Sequence, residues 1–110
     1  MKIGNIIKFN KQQGGNPTPG NISSLKFAVE YKGTKTINDI ANITRAILVD
    51  HPFSDGNKRT AYHVIEKYGE RNNFTFNKKR LIKSIIHISK KNIIDINKIQ
   101  RRIQKCKKKK

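Results

Sequence analysis

Nine consecutive residues hold most of the side chains in this sequence that point to chemistry: His51-Pro52-Phe53-Ser54-Asp55-Gly56-Asn57-Lys58-Arg59. Pro52 cannot continue a helix and disfavours helical geometry at His51 before it. Helical periodicity resumes after Asn57, so this segment is a loop that runs into a helix start. The first N–H groups of a helix have no internal partner, and the helix dipole favours anions there. Gly56 lets the backbone come close to a ligand. Asn57, Lys58 and Arg59 add donors and positive charge. Together they make a phosphate cradle. Asp55 can hold Mg²⁺, which takes one or two carboxylates plus phosphate oxygens. His51 can take a proton from an attacking hydroxyl. Phe53, between them, reads as an anchor to the core. Singly, each feature has an ordinary structural explanation: a cap, a turn, a solvated face. Their concentration in one loop argues against so many coincidences. The loop is not a P-loop, because GNKRT lacks the upstream glycine and the Lys-Ser/Thr ending.

The elements around this loop read as helices. Ile3, Ile6 and Ile7 repeat at helical spacing and predict a short first helix. Residues 12–21, QQGGNPTPGN, form a loop in which glycine and proline forbid regular helix. Ile22 to Tyr31 predicts a second helix with Leu25, Ala28 and Val29 inward, ended by Gly33. Thr36, with Asp39 three residues on, approximates a capping box. Ile37, Ile40, Ala41, Ile43, Ile47 and Leu48 then form a broad apolar face that ends at the motif loop. After the loop, Ala61, Val64, Ile65 and Tyr68 share a face, and Asn72 and Asn73 close that helix. Phe74 and Phe76 mark a short extended stretch. A helix from about Lys78 to Lys90 turns Leu81, Ile82, Ile85 and Ile86 inward. A last one, from about Asp95 to Cys106, aligns Ile96, Ile99, Ile103 and Cys106. The expected fold is all-α, a single bundle of about five or six helices spanning residues 1–106. Residues 107–110 are expected to be a Lys-rich disordered tail.

A chain of 110 residues holds one domain with a real core. Its single cysteine, Cys106, excludes an internal disulfide and suits a reducing, cytoplasmic setting. No apolar run reaches membrane-spanning length, and the stretch MKIGNIIKFNKQQGG is too polar for a signal peptide. The formal net charge of +18 points to polyanionic partners. Nucleic acid is one such partner. The abundance of Ile, Asn and Lys, all with AT-rich codons, offers a compositional explanation instead, and nucleic acid is the less favoured reading.

The motif resembles the signature of the Fic/Doc family, H-P-F-x-D/E-G-N-G/K-R. Gly14-Gly15-Asn16-Pro17 is similar to a Gly-Gly-x-Pro stretch common in Doc-like members. The resemblance covers roughly residues 12–105 and is strongest at 36–65. It implies an enzyme that uses ATP or another nucleoside triphosphate with Mg²⁺ to modify a hydroxyl on a target protein. By the same resemblance, His51 is the catalytic base, Asp55 the Mg²⁺ ligand, Gly56 and Asn57 the anion-hole positions and Arg59 the phosphate-neutralising arginine. Two positions depart from the adenylyl-transferring members: Lys58 stands where many have glycine, and Tyr62 where many have a second arginine. Lysine at 58 resembles Doc-type toxins, in which it is thought to reverse the nucleotide, so that the γ-phosphoryl is transferred. The implied activity is therefore protein phosphorylation, with protein adenylylation as the alternative and a nucleic-acid-binding protein on an inactive Fic scaffold as a third reading. The family's inhibitory element, S/T-x-x-x-E-G/N, is absent: four residues before Glu30, Glu66 and Glu70 stand Lys26, Tyr62 and Glu66. Restraint would come from another chain, as for a Doc-like toxin with a separate antitoxin. The resemblance suggests a translation factor such as elongation factor Tu as target.

Other residues invite functional readings and have better structural ones. His63 is expected at a half-exposed helix position and His87 at a core boundary. Tyr31, Tyr62 and Tyr68 are expected to pack in or beside the core. The isoleucine stripes at 81–88 and 96–103 are expected to be core rather than a partner groove.

Overall fold

The computed structural model describes residues 1–108 and is all-α. Six α-helices follow one another: α1 Ile3–Gln12, α2 Ile22–Phe27, α3 Ile37–Asp50, α4 Asn57–Arg71, α5 Lys78–Lys91 and α6 Ile96–Lys105. A single π-helical turn, Ala28–Lys32, prolongs α2 and ends at Gly33, whose φ of 112° suits glycine.

Helix α3 is the central element, packed against α4, α6, α2, the π turn and α5. Its sequence explains this place. Ile40, Ala41, Ile43, Ala46, Ile47 and Leu48 are all buried, so apolar surface covers most of its circumference. Thr44 is also buried and returns its hydroxyl to the Ile40 carbonyl at 2.8 Å. The start of α3 is the expected capping box: the Asp39 amide donates to Thr36 Oγ1 at 3.0 Å, and the Thr36 amide donates to Asp39 Oδ2 at 3.1 Å.

Two expectations are corrected. Ile82 and Ile86 are 40% and 46% exposed, so only one edge of the α5 stripe reaches the core. Leu81, Ile85 and Ile88 fill it, and the remaining isoleucines face a surface pocket. Tyr31 is 79% exposed, off the face that Leu25, Ala28 and Val29 turn inward; it stacks on Phe27 with ring centroids 5.2 Å apart. The first two residues of the expected tail, Lys107 and Lys108, contact the stretch at 74–76. The Lys108 amide donates to the Thr75 carbonyl at 2.9 Å, Phe76 bridges Lys107, and the Lys107 ammonium lies 3.9 Å from the Phe74 ring centre. The rest of the expected tail, 109–110, lies outside the described residues. No helix among the described residues is long and apolar enough to cross a membrane.

Candidate active site

The motif loop joins α3 to α4. Helix α3 stops at Asp50, and His51 follows in the left-handed region, with φ 49° and ψ 64°. That conformation is ordinary for glycine or asparagine at a helix end and unfavourable for histidine. Neighbours hold it there. Ser24 Oγ donates to Asp50 Oδ2, and Asn21 Nδ2 donates to the His51 carbonyl at 3.3 Å. The imidazole is exposed.

Phe53 is the anchor the sequence suggests. It is 2% exposed and belongs to the core cluster. Burial of a phenylalanine stabilises by roughly 2–3 kcal/mol, enough to fix the middle of a short loop. The loop of residues 13–19 pins the other side. The Thr18 amide donates to the Pro52 carbonyl at 2.8 Å, and the Ser54 amide to the Asn16 carbonyl at 2.9 Å. Ser54 Oγ accepts from the Asn16 amide at 3.0 Å. The Gly-Gly-Asn-Pro stretch thus acts as a short antiparallel splint on the motif, with Pro17 bridging Phe53.

Sequence reasoning missed the residue that ties these pieces together. Asn10, at the end of α1, is fully buried. Its Nδ2 donates to the Asp55 carbonyl at 2.7 Å and to Thr60 Oγ1 at 3.1 Å, and its carbonyl accepts from the Gly15 amide at 3.1 Å. Gly15 lies so close that a Cβ there would strike both Asn10 Oδ1 and the Asp55 carbonyl. The signal was present: Asn10 continues the inward register of Ile3, Ile6 and Ile7, a polar residue at an apolar position.

Helix α4 opens without a side-chain cap, whereas Thr36, Asn77 and Asp95 cap α3, α5 and α6. Its N-cap is Gly56, at φ 73°. The Asn57, Lys58 and Arg59 amides have no partner among the described residues. The Asn57 side chain is engaged within the loop. Its Nδ2 donates to the Phe53 carbonyl at 2.9 Å, and its Oδ1 accepts from the Phe53 amide at 3.3 Å. Asn57 therefore offers its main-chain N–H, while its side chain shapes the loop.

His51, Asp55, Gly56, Asn57, Lys58 and Arg59 all line one open depression of about 350 Å³, together with Gln13, Ser54 and Ser89. Every candidate residue thus faces a common space. Asp55 is exposed and uses Oδ1 to accept from the Gly56 amide at 2.8 Å, which orients its carboxylate toward the helix start. Among the described residues no three His, Cys, Asp or Glu come together as a metal cage. A cation here would be held by Asp55 and by oxygens of an anion lodged on the uncapped amides, a donor set that fits Mg²⁺. Beside this depression, and sharing Gln13, Lys58 and Arg59 with it, lies an apolar pocket of about 460 Å³ walled by Phe9, Tyr62, Ile82, Ile85 and Ile86.

Of the other histidines, His63 is half-buried against Phe9, with rings parallel and centroids 3.8 Å apart. Burial, and then Lys67, pushes its pKa down. Burial, followed by the Glu66 carboxylate, pushes the Tyr62 phenol up. His87 is half-buried, at the expected boundary.

No curated protein and no solved structure gives a match. The family model of the Fic/DOC family matches residues 7–68, a span that runs from α1 through the splint, α3 and the motif loop into α4. That span is more than half of the chain and contains every residue of the site but Ser89, and the chain belongs to the Fic/DOC family.

Proposed function

We propose that this protein transfers the γ-phosphoryl group of ATP, or of another nucleoside triphosphate, to a hydroxyl on a target protein. The observation that carries the reading is the convergence of His51, Asp55 and the uncapped start of α4 on one depression. The unpartnered amides of 57–59 and the Arg59 guanidinium suit a polyphosphate. The adjoining apolar pocket suits the base and sugar of the same molecule, since Lys58 and Arg59 border both spaces. Exposed His51 lies at the opposite end of the loop from Arg59, where a target side chain can reach it. In the transfer, the hydroxyl oxygen bonds to the γ-phosphorus, the bond to the nucleoside diphosphate breaks, and His51 takes the hydroxyl proton. Mg²⁺, held by Asp55, would supply charge neutralisation on the phosphates. Catalysis of this kind rests on positioning and preorganised electrostatics, which a loop fixed by Phe53, Asn10 and the 13–19 splint provides.

Lys58 is exposed and stands between the two spaces, where its side chain can occupy volume that glycine would leave to phosphate. This favours γ-phosphoryl transfer over adenylylation. The lack of an inhibitory S/T-x-x-x-E-G/N element fits a toxin restrained by a separate antitoxin, with a translation factor such as elongation factor Tu as target. The test is incubation of the purified protein with a cell lysate and Mg²⁺, with γ- or α-labelled ATP in parallel. The expected result is γ-label on protein. Transfer of α-label alone establishes adenylylation, and transfer of neither by a folded protein refutes the enzymatic reading.

A further inference from the structure

A second concave surface lies away from the motif loop. A cleft of about 830 Å³ lies between α5 and α6. It uses the face of α5 opposite the motif. Ser84, His87 and Lys91 line it, whereas Ile82, Ile85, Ile86 and Ser89 turn to the candidate active site and its apolar neighbour. Across from them, α6 presents Lys98, Arg101, Arg102 and Lys105, a stripe at i, i+3, i+4 and i+7. Five formal cations therefore face one cleft.

They have no acidic partner among the described residues. The lone carboxylate in the cleft, Asp95, accepts from the Lys98 amide at 3.1 Å and so caps α6. Among the described residues the only ion pair is Lys67–Glu70, on another helix. The end of the cleft is apolar. Ile93 and Ile94 close it, and Ile94 is 64% exposed. The turn carrying Ile94 is held by Arg45, whose guanidinium donates to the Ile94 carbonyl at 3.4 Å.

We infer that this cleft binds a helical segment of a partner protein that carries a stripe of carboxylates and an aliphatic residue at one end. Lys98 to Lys105 spans about 10 Å, two helical turns, so acids at i, i+3/i+4 and i+7 on a partner helix match the stripe. Nucleic acid fits less well. No Phe, Tyr or Trp lines the cleft to stack a base, and an exposed isoleucine gives nothing to phosphate. The inference does not depend on the proposed transferase activity.

The test is fluorescence anisotropy at physiological salt with three probes of matched length: a helical peptide of about 14 residues, roughly 20 Å long, with Glu along one stripe and a terminal Leu; the same peptide with Gln for Glu; and a single-stranded RNA. The Glu peptide is expected to bind best. The double variant Lys98→Glu/Arg101→Glu should weaken it at least about tenfold. The control Lys8→Glu/Lys26→Glu, with the same change in net charge, should weaken it less than about threefold through the general field. Ile94→Ser, at an exposed position, should weaken the peptide and leave RNA unaffected, which keeps the test valid if the double variant does not fold. RNA binding as tightly as the Glu peptide, equal losses in the two charge-reversed proteins, or no saturable binding of the Glu peptide overturns the inference.

Discussion

Replacing Asn10 gives the sharpest test of how the motif loop is held. Asn10→Ala removes two hydrogen bonds, one to the Asp55 carbonyl and one to Thr60 Oγ1, both made by a fully buried side chain. Each is worth ~1 kcal/mol, and the space left behind adds to the loss, so destabilisation of about 2–3 kcal/mol is expected. In a domain of this size that lowers Tm by roughly 8–20 °C. Asn10→Asp keeps the shape and turns a donor into an acceptor that faces the Asp55 carbonyl. The buried carboxylate should cost more than the alanine, about 3–5 kcal/mol at neutral pH. Its folded-state pKa is then raised above the unfolded value, so the folded state binds the proton more tightly. The defect of the Asp variant should therefore shrink as pH falls through that raised pKa. Both variants should also bind Mg²⁺-ATP more weakly, because Asp55 and the start of α4 lose their common tether. Denaturant unfolding across pH and calorimetric titration of nucleotide measure these effects. An Asn10→Ala protein within about 0.5 kcal/mol of the unmodified chain, with unchanged nucleotide affinity, would refute the tethering argument.

Three further outcomes are expected. His51→Gly should raise stability by roughly 0.5–1 kcal/mol, since φ of 49° is unfavourable for histidine and free for glycine, while abolishing transfer; an unfolding midpoint that falls instead contradicts the strain reading. The lowered pKa of His63 means the folded state disfavours its protonated form. Its contribution is complete above the ordinary value of 6.5 and is lost as pH falls from there through the folded value, and His63→Phe, which keeps the ring against Phe9, should flatten that part of the stability profile. Lys58→Gly should lower the ratio of γ- to α-label transferred to protein, whereas a lysine that merely points into solvent leaves the ratio unchanged.

The helices were legible wherever a stop signal met a clear stripe. Pro52 and Gly56 bound the motif loop, the Thr36–Asp39 pair capped α3 as read, and Phe53 proved buried. The sequence was less informative where tertiary partners decide. Ile82 and Ile86 carry the same periodicity as Leu81 and Ile85, and only the position of neighbouring helices leaves them outside the core. Tyr31 was expected in or beside the core from its residue type, whereas its spacing from Leu25, Ala28 and Val29 turns it to solvent. Asn10 and the 13–19 splint act on the loop from more than thirty residues away, a pairing no local pattern encodes. For Asn57 the residue type left open which group does what, and its side chain closes the loop on Phe53.

The most direct measurement separates the two ends of the loop. Binding of ATP with and without Mg²⁺, and transfer of label to protein, are compared for the unmodified chain, His51→Ala and Asp55→Ala. His51→Ala is expected to bind Mg²⁺-ATP as the unmodified chain does and to lose about 10²–10⁴-fold in transfer, since the base acts on the hydroxyl and not on the nucleotide. Asp55→Ala is expected to lose the Mg²⁺-dependent part of binding. Full transfer by His51→Ala, or Mg²⁺-dependent binding that survives in Asp55→Ala, would refute these roles.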